Sequence, residues 1–289
     1  MTNAFLFPGQ GSHRVGMGSH LFDTYPNLVR QADSALGYSI RDLCLSGPAE
    51  RLNDTRYTQC AMYVIGALSY VDEVRRTGVV PDVLAGHSLG EYVALFASGA
   101  FDFRTGLELV AQRARLMADA GPGAMAAVIG PDVKKVGDLL AEHELSAIDI
   151  ANVNAPDQTV IAGPVDDVRA AVAALSPHAT SVVPLRVSGA FHSRYMADAS
   201  RSFGEVLDRY VFARLKIPVI ANVTATPYGD DVAATLRHQL TNPVRWTETV
   251  RYLLGLPGVE IHEVGPGTVL SGLTKRIRAA GTLTAVGHS

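Results

Sequence analysis

The residues best suited to chemistry form the run Gly86-His87-Ser88-Leu89-Gly90. A short apolar segment precedes the run and a helical pattern follows it, so Ser88 is predicted to lie on a sharp strand-to-helix turn. Such a turn exposes the hydroxyl, and the first N–H groups of the helix point toward a developing oxyanion. The run predicts a nucleophilic serine; the alternative is an ordinary serine in a tight glycine-rich turn.

A serine nucleophile needs a base, and the chain has nine histidines. His87 is adjacent to Ser88 and would point away from it at such a turn. His192 lies in the run Val187-Ser188-Gly189-Ala190-Phe191-His192-Ser193, at the predicted junction of two domains, where a side chain can face a cleft. We expect His192 to be the base, although spacing alone leaves a surface or core role open.

The loop Pro8-Gly9-Gln10-Gly11-Ser12 follows the first predicted strand. It is not a dinucleotide fingerprint, because Arg14 stands where the third glycine would fall. The loop predicts backbone N–H donors near the strand ends, where α/β proteins bind ligands, or a simple turn.

Two arginines, Arg113 and Arg115, flank the apolar stripe of a predicted helix on opposite edges. Helical spacing does not choose between them, and each is also compatible with a solvated head group on a buried stem.

Alternating strands and helices position these groups and favour a parallel, doubly wound α/β core. Helices are predicted at 57–74, 89–100 and 103–120, and strands at 4–7, 81–85, 217–222 and 259–264. Between them, strands at 124–129, 147–153, 158–162 and 180–187 alternate with helices at 132–142 and 165–175. That βαββαβ order predicts a ferredoxin-like small domain, residues 123–186, inserted in a large domain of residues 1–122 and 187–289.

Composition excludes several classes of protein. The 289 residues are 47% hydrophobic and 18% charged, with a net charge of −3, so we expect a packed globular chain and no nucleic-acid partner. No apolar run approaches the roughly 18 residues of a membrane span, and the N-terminus does not read as a signal peptide. The only cysteines, Cys44 and Cys60, give no metal-ligand pattern. We expect a cytoplasmic protein with reduced thiols and no metal.

The chain resembles the malonyl-CoA:acyl-carrier-protein transacylases, most of all the stand-alone acyltransferases that serve polyketide synthases. The resemblance extends from residue 5 to about residue 277 and rests on several motifs in the family's order. These are Phe7-Pro8-Gly9-Gln10-Gly11-Ser12, Thr58-Gln59, Gly86-His87-Ser88-Leu89-Gly90-Glu91, Gln112-Arg113 with Met117, Asn154-Ala155-Pro156 with Gln158, Phe191-His192-Ser193, Asn242-Pro243-Val244-Arg245-Trp246 and Glu263-Val264-Gly265-Pro266-Gly267. The fold it implies is an α/β-hydrolase-like domain with a ferredoxin-like insertion.

The resemblance also implies a role for individual residues. Ser88 would be the nucleophile and His192 its base, oriented by the main-chain carbonyl of Arg245 instead of a carboxylate. The backbone N–H groups of Gln10 and Leu89 would form the oxyanion hole. Substrate-binding roles fall to four further residues: Arg113 as a clamp for the acyl carboxylate, and Gln59, Asn154 and Phe191 near the acyl group.

The function that the resemblance implies is transfer of malonyl from malonyl-CoA to the phosphopantetheine thiol of an acyl carrier protein, for polyketide or fatty-acid synthesis. We expect no bound cofactor, and a monomer. The alternatives are an acyl hydrolase of the same fold, which would lack the Arg113 clamp, and a serine esterase, which would need an acidic triad residue such as Asp149 or Asp166. Carrier proteins are usually acidic, so a local basic patch is expected; the candidates are Arg186, Arg194 and Arg201.

Overall fold

The structure, a computed structural model, describes residues 1–286 of the chain. Its strands are β1 (Thr2–Phe7), β2 (Val83–Gly86), β3 (Ala124–Ile129), β4 (Asp149–Ala155), β5 (Gln158–Gly163), β6 (Ser181–Pro184), β7 (Val219–Ile220) and β8 (Val259–Glu263). Its α-helices are α1 (Ser19–Thr24), α2 (Pro26–Leu36), α3 (Ile40–Ser46), α4 (Ala49–Asn53), α5 (Thr55–Thr77), α6 (Gly90–Ser98), α7 (Phe103–Asp119), α8 (Val133–Glu142), α9 (Val165–Leu175), α10 (Ala197–Leu207), α11 (Val232–Gln239), α12 (Trp246–Leu254) and α13 (Val269–Val286).

A parallel sheet forms the centre of the larger part of the molecule. Its strand order is β7-β2-β1-β8, and Phe7 lies opposite Gly86 at the carboxyl ends of β1 and β2. Alternate residues of β1 pack into two hydrophobic cores. Phe5 and Phe7 pack on one face of the sheet, and Ala4 and Leu6 pack on the other. Since both faces are buried, the strand sequence is almost wholly apolar.

An antiparallel sheet forms the smaller part, with strand order β4-β5-β3-β6. Side chains of α8 and α9, such as Val136 and Val168, pack on one of its faces with Val128 and Ile161. The element order βαββαβ and this strand order confirm the ferredoxin-like arrangement predicted from the sequence.

Main-chain hydrogen bonds fasten the two parts together beside the site. The N–H of Val244 donates to the carbonyl of Ala151 in β4, and the N–H of Val153 donates to the carbonyl of Val244, both at 2.9 Å. The loop between α11 and α12 is therefore held against an edge strand of the small sheet.

Most predicted elements lie where expected, but two strands have half the predicted length or less. The strand predicted at 180–187 ends at Pro184, after which the chain turns toward a cavity, and the one predicted at 217–222 is only Val219–Ile220. Pro218 has no N–H for the ladder, and Asn222 is engaged elsewhere. The helices α1–α4 and α10–α13 were not predicted. No helix in the described residues is both long and apolar enough to cross a bilayer.

Candidate active site

Ser88 occupies the turn between β2 and α6 with a left-handed backbone, φ 51°. Strand and helix meet so closely that a Cβ on Gly86 would lie 1.9 Å from the backbone of Gly90, and one on Gly90 would lie 2.0 Å from the carbonyl oxygen of Phe7. The glycines of the motif are thus required by contact distance, and the turn is the predicted nucleophile elbow in geometry.

Asn222, two residues after the neighbouring strand β7, holds this strained turn in place. Its Oδ1 accepts a hydrogen bond from the Ser88 N–H at 2.7 Å, and its Nδ2 donates to the carbonyl of Gly86 at 2.6 Å. A left-handed non-glycine residue costs about 1–3 kcal/mol, so such bonds are needed to hold it. The sequence analysis missed Asn222, and nothing in its local sequence marks it.

His192 lies against the elbow, with its Nε2 2.7 Å from the Oγ of Ser88. Its Nδ1 is 2.8 Å from the main-chain carbonyl of Gln239, so Nδ1 carries the proton and Nε2 is free to accept the serine proton. Burial, together with the positive charge of Arg113, lowers the pKa of His192 to about 3. The imidazole is therefore neutral at physiological pH and has the protonation state of a general base.

The expectation that the Arg245 carbonyl orients this histidine is wrong. Gln239 is the last residue of α11, where carbonyls have no intrahelical partner and can accept from a side chain. Arg245 instead immediately precedes α12: its carbonyl accepts from the N–H of Thr249 at 3.0 Å, and its N–H donates to the main-chain carbonyl of Asn222. The resemblance thus pointed to the neighbouring segment, six residues too far along the chain.

Arg113 points inward from α7 and is only 1% exposed. Its guanidinium donates to the Oγ of Ser88 at 3.2 Å, to Oε1 of Gln59 at 2.5 Å and to Oε1 of Gln239 at 2.8 Å. Within the described residues, no carboxylate lies within 4 Å of it, and its Nε–H has no partner. Arg115 lies on the outer edge of the helix, 3.8 Å from Asp119. The structure thus identifies Arg113, and not Arg115, as the arginine in the site, a choice that helical spacing could not make.

A cavity of about 500 Å³ brings the predicted residues together between the two sheets. It is lined by every predicted site residue except Arg245, namely Gln10, Gln59, Ser88, Leu89, Arg113, Asn154, Phe191 and His192. The small sheet contributes Met125, Ala127 and Val160, which make part of the wall apolar. A concave, mostly apolar pocket with a few convergent polar groups is the usual form of a small-molecule site.

The predicted oxyanion hole consists of two backbone N–H groups, and it stays a prediction. The Ser88 N–H is engaged by Asn222, and the two residues that would supply the donors both line the cavity: Leu89, which immediately precedes α6, and Gln10, in the loop after β1. That loop packs so tightly on the elbow that a Cβ on Gly9 would lie 2.4 Å from the carbonyl oxygen of His87. The fit of the loop to the elbow sets the position of Gln10.

Asn154 and Gln59 contact other site residues instead of standing alone. Asn154 Oδ1 is 2.8 Å from Nε2 of His87, whose ring packs 5.2 Å from that of Trp246, so His87 turns away from Ser88 as predicted. Gln59 bonds Arg113 through its oxygen and the Met117 sulfur through its nitrogen, at 3.5 Å. Both residues therefore orient neighbours in the cavity wall.

The carboxylates that an esterase triad would use are engaged elsewhere. Asp149 accepts from the N–H and the guanidinium of Arg194, and Asp166 pairs with Arg169 on an exposed face of α9. The position on His192 Nδ1 is occupied by a carbonyl, so the structure contradicts the Ser-His-Asp alternative. Among the described residues, no group of three or more His, Cys, Asp or Glu side chains could hold a metal ion.

Two of the three candidate arginines for carrier docking are paired. Arg194 is bound by Asp149 and Arg201 by Asp198, whereas the exposed Arg186 lines the cavity. The positive charge expected at the domain junction is therefore largely compensated except at Arg186.

Comparison with known proteins agrees with this geometry. A profile of the acyl transferase domain family matches residues 4–270. The chain is 49% identical, over 95% of its length and 96% of the relative's, to the polyketide biosynthesis malonyl CoA-acyl carrier protein transacylase BaeC of Bacillus velezensis.

Solved structures agree as well. The malonyl CoA-acyl carrier protein transacylase of Burkholderia pseudomallei superposes with a TM-score of 0.94 at 46% identity, covering 96% of this chain and 98% of that one. A malonyl-transacylase solved in complex with its type II polyketide synthase acyl-carrier protein superposes at 0.91 and 37% identity, covering 96% and 93%. By its sequence, its two sheets and the residues around its cavity, this chain belongs to the acyl transferase domain family.

Proposed function

We propose that the protein transfers a malonyl group from malonyl-CoA to the phosphopantetheine thiol of an acyl carrier protein, through an acyl ester on Ser88. One observation carries the proposal: the Oγ of Ser88 lies between the neutral Nε2 of His192, at 2.7 Å, and the guanidinium of Arg113, at 3.2 Å. A nucleophile with a base on one side and a buried cation on the other suits an acyl group that ends in a carboxylate.

In the first half-reaction, Ser88 Oγ attacks the thioester carbonyl of malonyl-CoA while its proton passes to Nε2 of His192. The carbonyl of Gln239 accepts from Nδ1–H and stabilises the imidazolium. The oxyanion of the tetrahedral intermediate is bound by the N–H groups of Leu89 and Gln10. When the intermediate collapses, the carbon–sulfur bond breaks, and the CoA sulfur takes the proton back from His192.

In the second half-reaction, the carrier thiol gives its proton to His192 and attacks the Ser88 ester. The carbon–oxygen bond then breaks, and Ser88 recovers the proton. The same base thus acts twice, which is the logic of a ping-pong transfer. No metal or redox group is required at either step.

Arg113 supplies selectivity for malonyl in this scheme. Among the described residues, no carboxylate contacts this buried guanidinium directly, since Glu91 reaches it only through Gln239, so the malonyl carboxylate would be its direct ion-pair partner. A fork of N–H donors matches a carboxylate better than a lysine would. An acyl hydrolase that handles uncharged acyl groups has no use for this cation, so Arg113 favours transfer of malonyl over the hydrolase alternative.

The proposal also includes the location of the protein, its oligomeric state, its domain bounds and its contact with the carrier protein. We infer a cytoplasmic location with Cys44 and Cys60 reduced, since both thiols are free and buried. We further infer a monomer that needs no bound cofactor, divided into a large domain of residues 1–122 and 187–289 and a small domain of residues 123–186. Arg186, exposed at the cavity, is the proposed basic contact for the carrier protein. The relative from Bacillus velezensis supports a role in polyketide biosynthesis.

The test is intact-protein mass spectrometry after mixing with malonyl-CoA. The wild-type protein is expected to gain one malonyl adduct that holo carrier protein then removes, and Ser88→Ala is expected to gain none. Ser193→Ala is the matched control, because Ser193 is buried nearby but bonds only backbone of its own turn. An adduct of the same mass on Ser88→Ala would refute the proposal.

A further inference from the structure

Glu91 is a buried carboxylate that the transfer steps above do not use. It follows the glycine-serine motif in α6 and is fully buried. Its Oε1 accepts from the Tyr228 hydroxyl at 2.5 Å and from the Asn222 N–H at 3.2 Å, and its Oε2 accepts from the side-chain amide of Gln239. A buried carboxylate is tolerated only when such bonds replace water, so its place in this network is specific.

Gln239 links that carboxylate to the reacting groups. Its main-chain carbonyl orients His192, its Oε1 accepts from Arg113 at 2.8 Å, and its Nε2 donates to the carbonyl of Ser88 at 3.0 Å as well as to Glu91. One residue therefore contacts the base, the cation and the main chain of the nucleophile.

The direction of the Gln239 amide follows from its partners. An ionised Glu91 can only accept, so it must face the NH₂ end, and the oxygen end then faces Arg113. In the reversed orientation, NH₂ would meet the guanidinium, which only donates, and the oxygen would meet the Ser88 carbonyl, which only accepts. Both contacts would be lost.

We propose that Glu91 is a positioning residue that fixes the side-chain amide of Gln239 and thereby holds Arg113 where it binds the carboxylate of the acyl group. The inference rests on the proposed function, since that carboxylate is the one of malonyl. Glu91 is not among the described residues that line the cavity, so it acts through Gln239 and does not touch the substrate.

The diagnostic variant is Glu91→Gln, which keeps the size of the side chain. The Asn222 N–H still requires an acceptor, so the new amide keeps its oxygen there and turns its NH₂ toward Gln239. Two NH₂ groups then face each other, and Gln239 must turn over. We expect kcat/KM for malonyl loading to fall about tenfold or more, mainly through KM, while acetyl loading changes less.

A double-mutant cycle shows whether the effect passes through Gln239. Gln239→Ala removes the side-chain amide but keeps the carbonyl that orients His192. In that background, Glu91→Gln is expected to change malonyl loading by about twofold or less, because the residue through which it acts is gone. Glu248→Gln, an exposed carboxylate on α12, is the control for charge removal, and thermal unfolding verifies that each variant is folded.

Three results would overturn the proposal. One is an equal loss with malonyl and acetyl, another is full additivity with Gln239→Ala, and the third is faster malonyl loading, which mere removal of a negative charge near Arg113 would give. Assays at pH 8 keep Glu91 ionised, since burial raises its pKa to about 7. If the wild-type protein loads no malonyl, the proposed function itself fails; if it loads malonyl and the cycle is additive, only this inference fails.

Discussion

The elbow and the end of α11 contribute to the site in opposite ways. The elbow, Gly86–Glu91, supplies the reacting oxygen from one contiguous motif. The end of α11 at Gln239 supplies no reacting atom, yet its carbonyl and amide contact the base, the cation and the nucleophile's main chain. The difference shows that a reactive group can be recognised from a local motif, whereas the groups that orient it, such as Gln239 and Asn222, lie far away in sequence.

His192 is the residue at which these two regions meet, so removing it gives the largest expected effect. His192→Ala takes away the acceptor for the serine proton, and malonyl loading is expected to slow by about 10² to 10⁴. Rapid-quench measurement of the malonyl adduct gives the rate.

The exposed His238, next to Gln239 on α11, provides the matched control. His238→Ala should load at the wild-type rate. If His192→Ala also loaded at that rate, the base would be another group and the contact between the two regions would have no catalytic meaning.

The elbow could be predicted from the sequence, whereas the contribution of the end of α11 could not. Ser88 and Leu89 could be placed from one contiguous motif, and the two glycines of that motif prove to be required by contacts near 2 Å. The carbonyl that orients His192 was predicted six residues away from its true position. No local pattern marks a helix terminus whose importance depends on the side chain that packs against it.

Arg113 gives the next largest effect, because it contacts both regions. Arg113→Ala removes the partner of the malonyl carboxylate in a desolvated pocket, a change worth about 2–5 kcal/mol. At about 1.4 kcal/mol per tenfold, the preference for malonyl over acetyl should fall by at least about 25-fold. The measurement is kcat/KM for both CoA esters with holo carrier protein as acceptor.

Arg115→Ala is the control from the outer edge of the same helix, and it should leave the preference unchanged. Equal losses for malonyl and acetyl in Arg113→Ala would make this arginine a structural support of the pocket wall. In that case the hydrolase alternative would regain weight.

The fold was predictable to a similar extent and for a similar reason. The buried strands β1 and β2 are short apolar runs, α7 has an amphipathic pattern, and the βαββαβ order followed from alternation alone. Of the helices that were not predicted, α1, α3 and α4 have seven residues or fewer, too few to show a helical period. The helices α2, α10 and α12 have amphipathic patterns as clear as that of α7 and were overlooked.

The smallest expected effect is a pH dependence of stability that originates at His192. Its pKa is about 3 in the folded protein and near 6.5 in an unfolded chain, so between these values the unfolded state binds more protons. Stability from this residue is therefore fully present above pH 6.5 and is lost as pH falls toward 3. Urea unfolding of the wild-type protein and His192→Gln at pH 7.5 and 5 measures it. The stability advantage of the wild type over the variant should shrink by about 2 kcal/mol between these pH values.

His238→Gln should show no such change, and a constant difference for His192→Gln would mean that the imidazole is not held neutral between the elbow and α11.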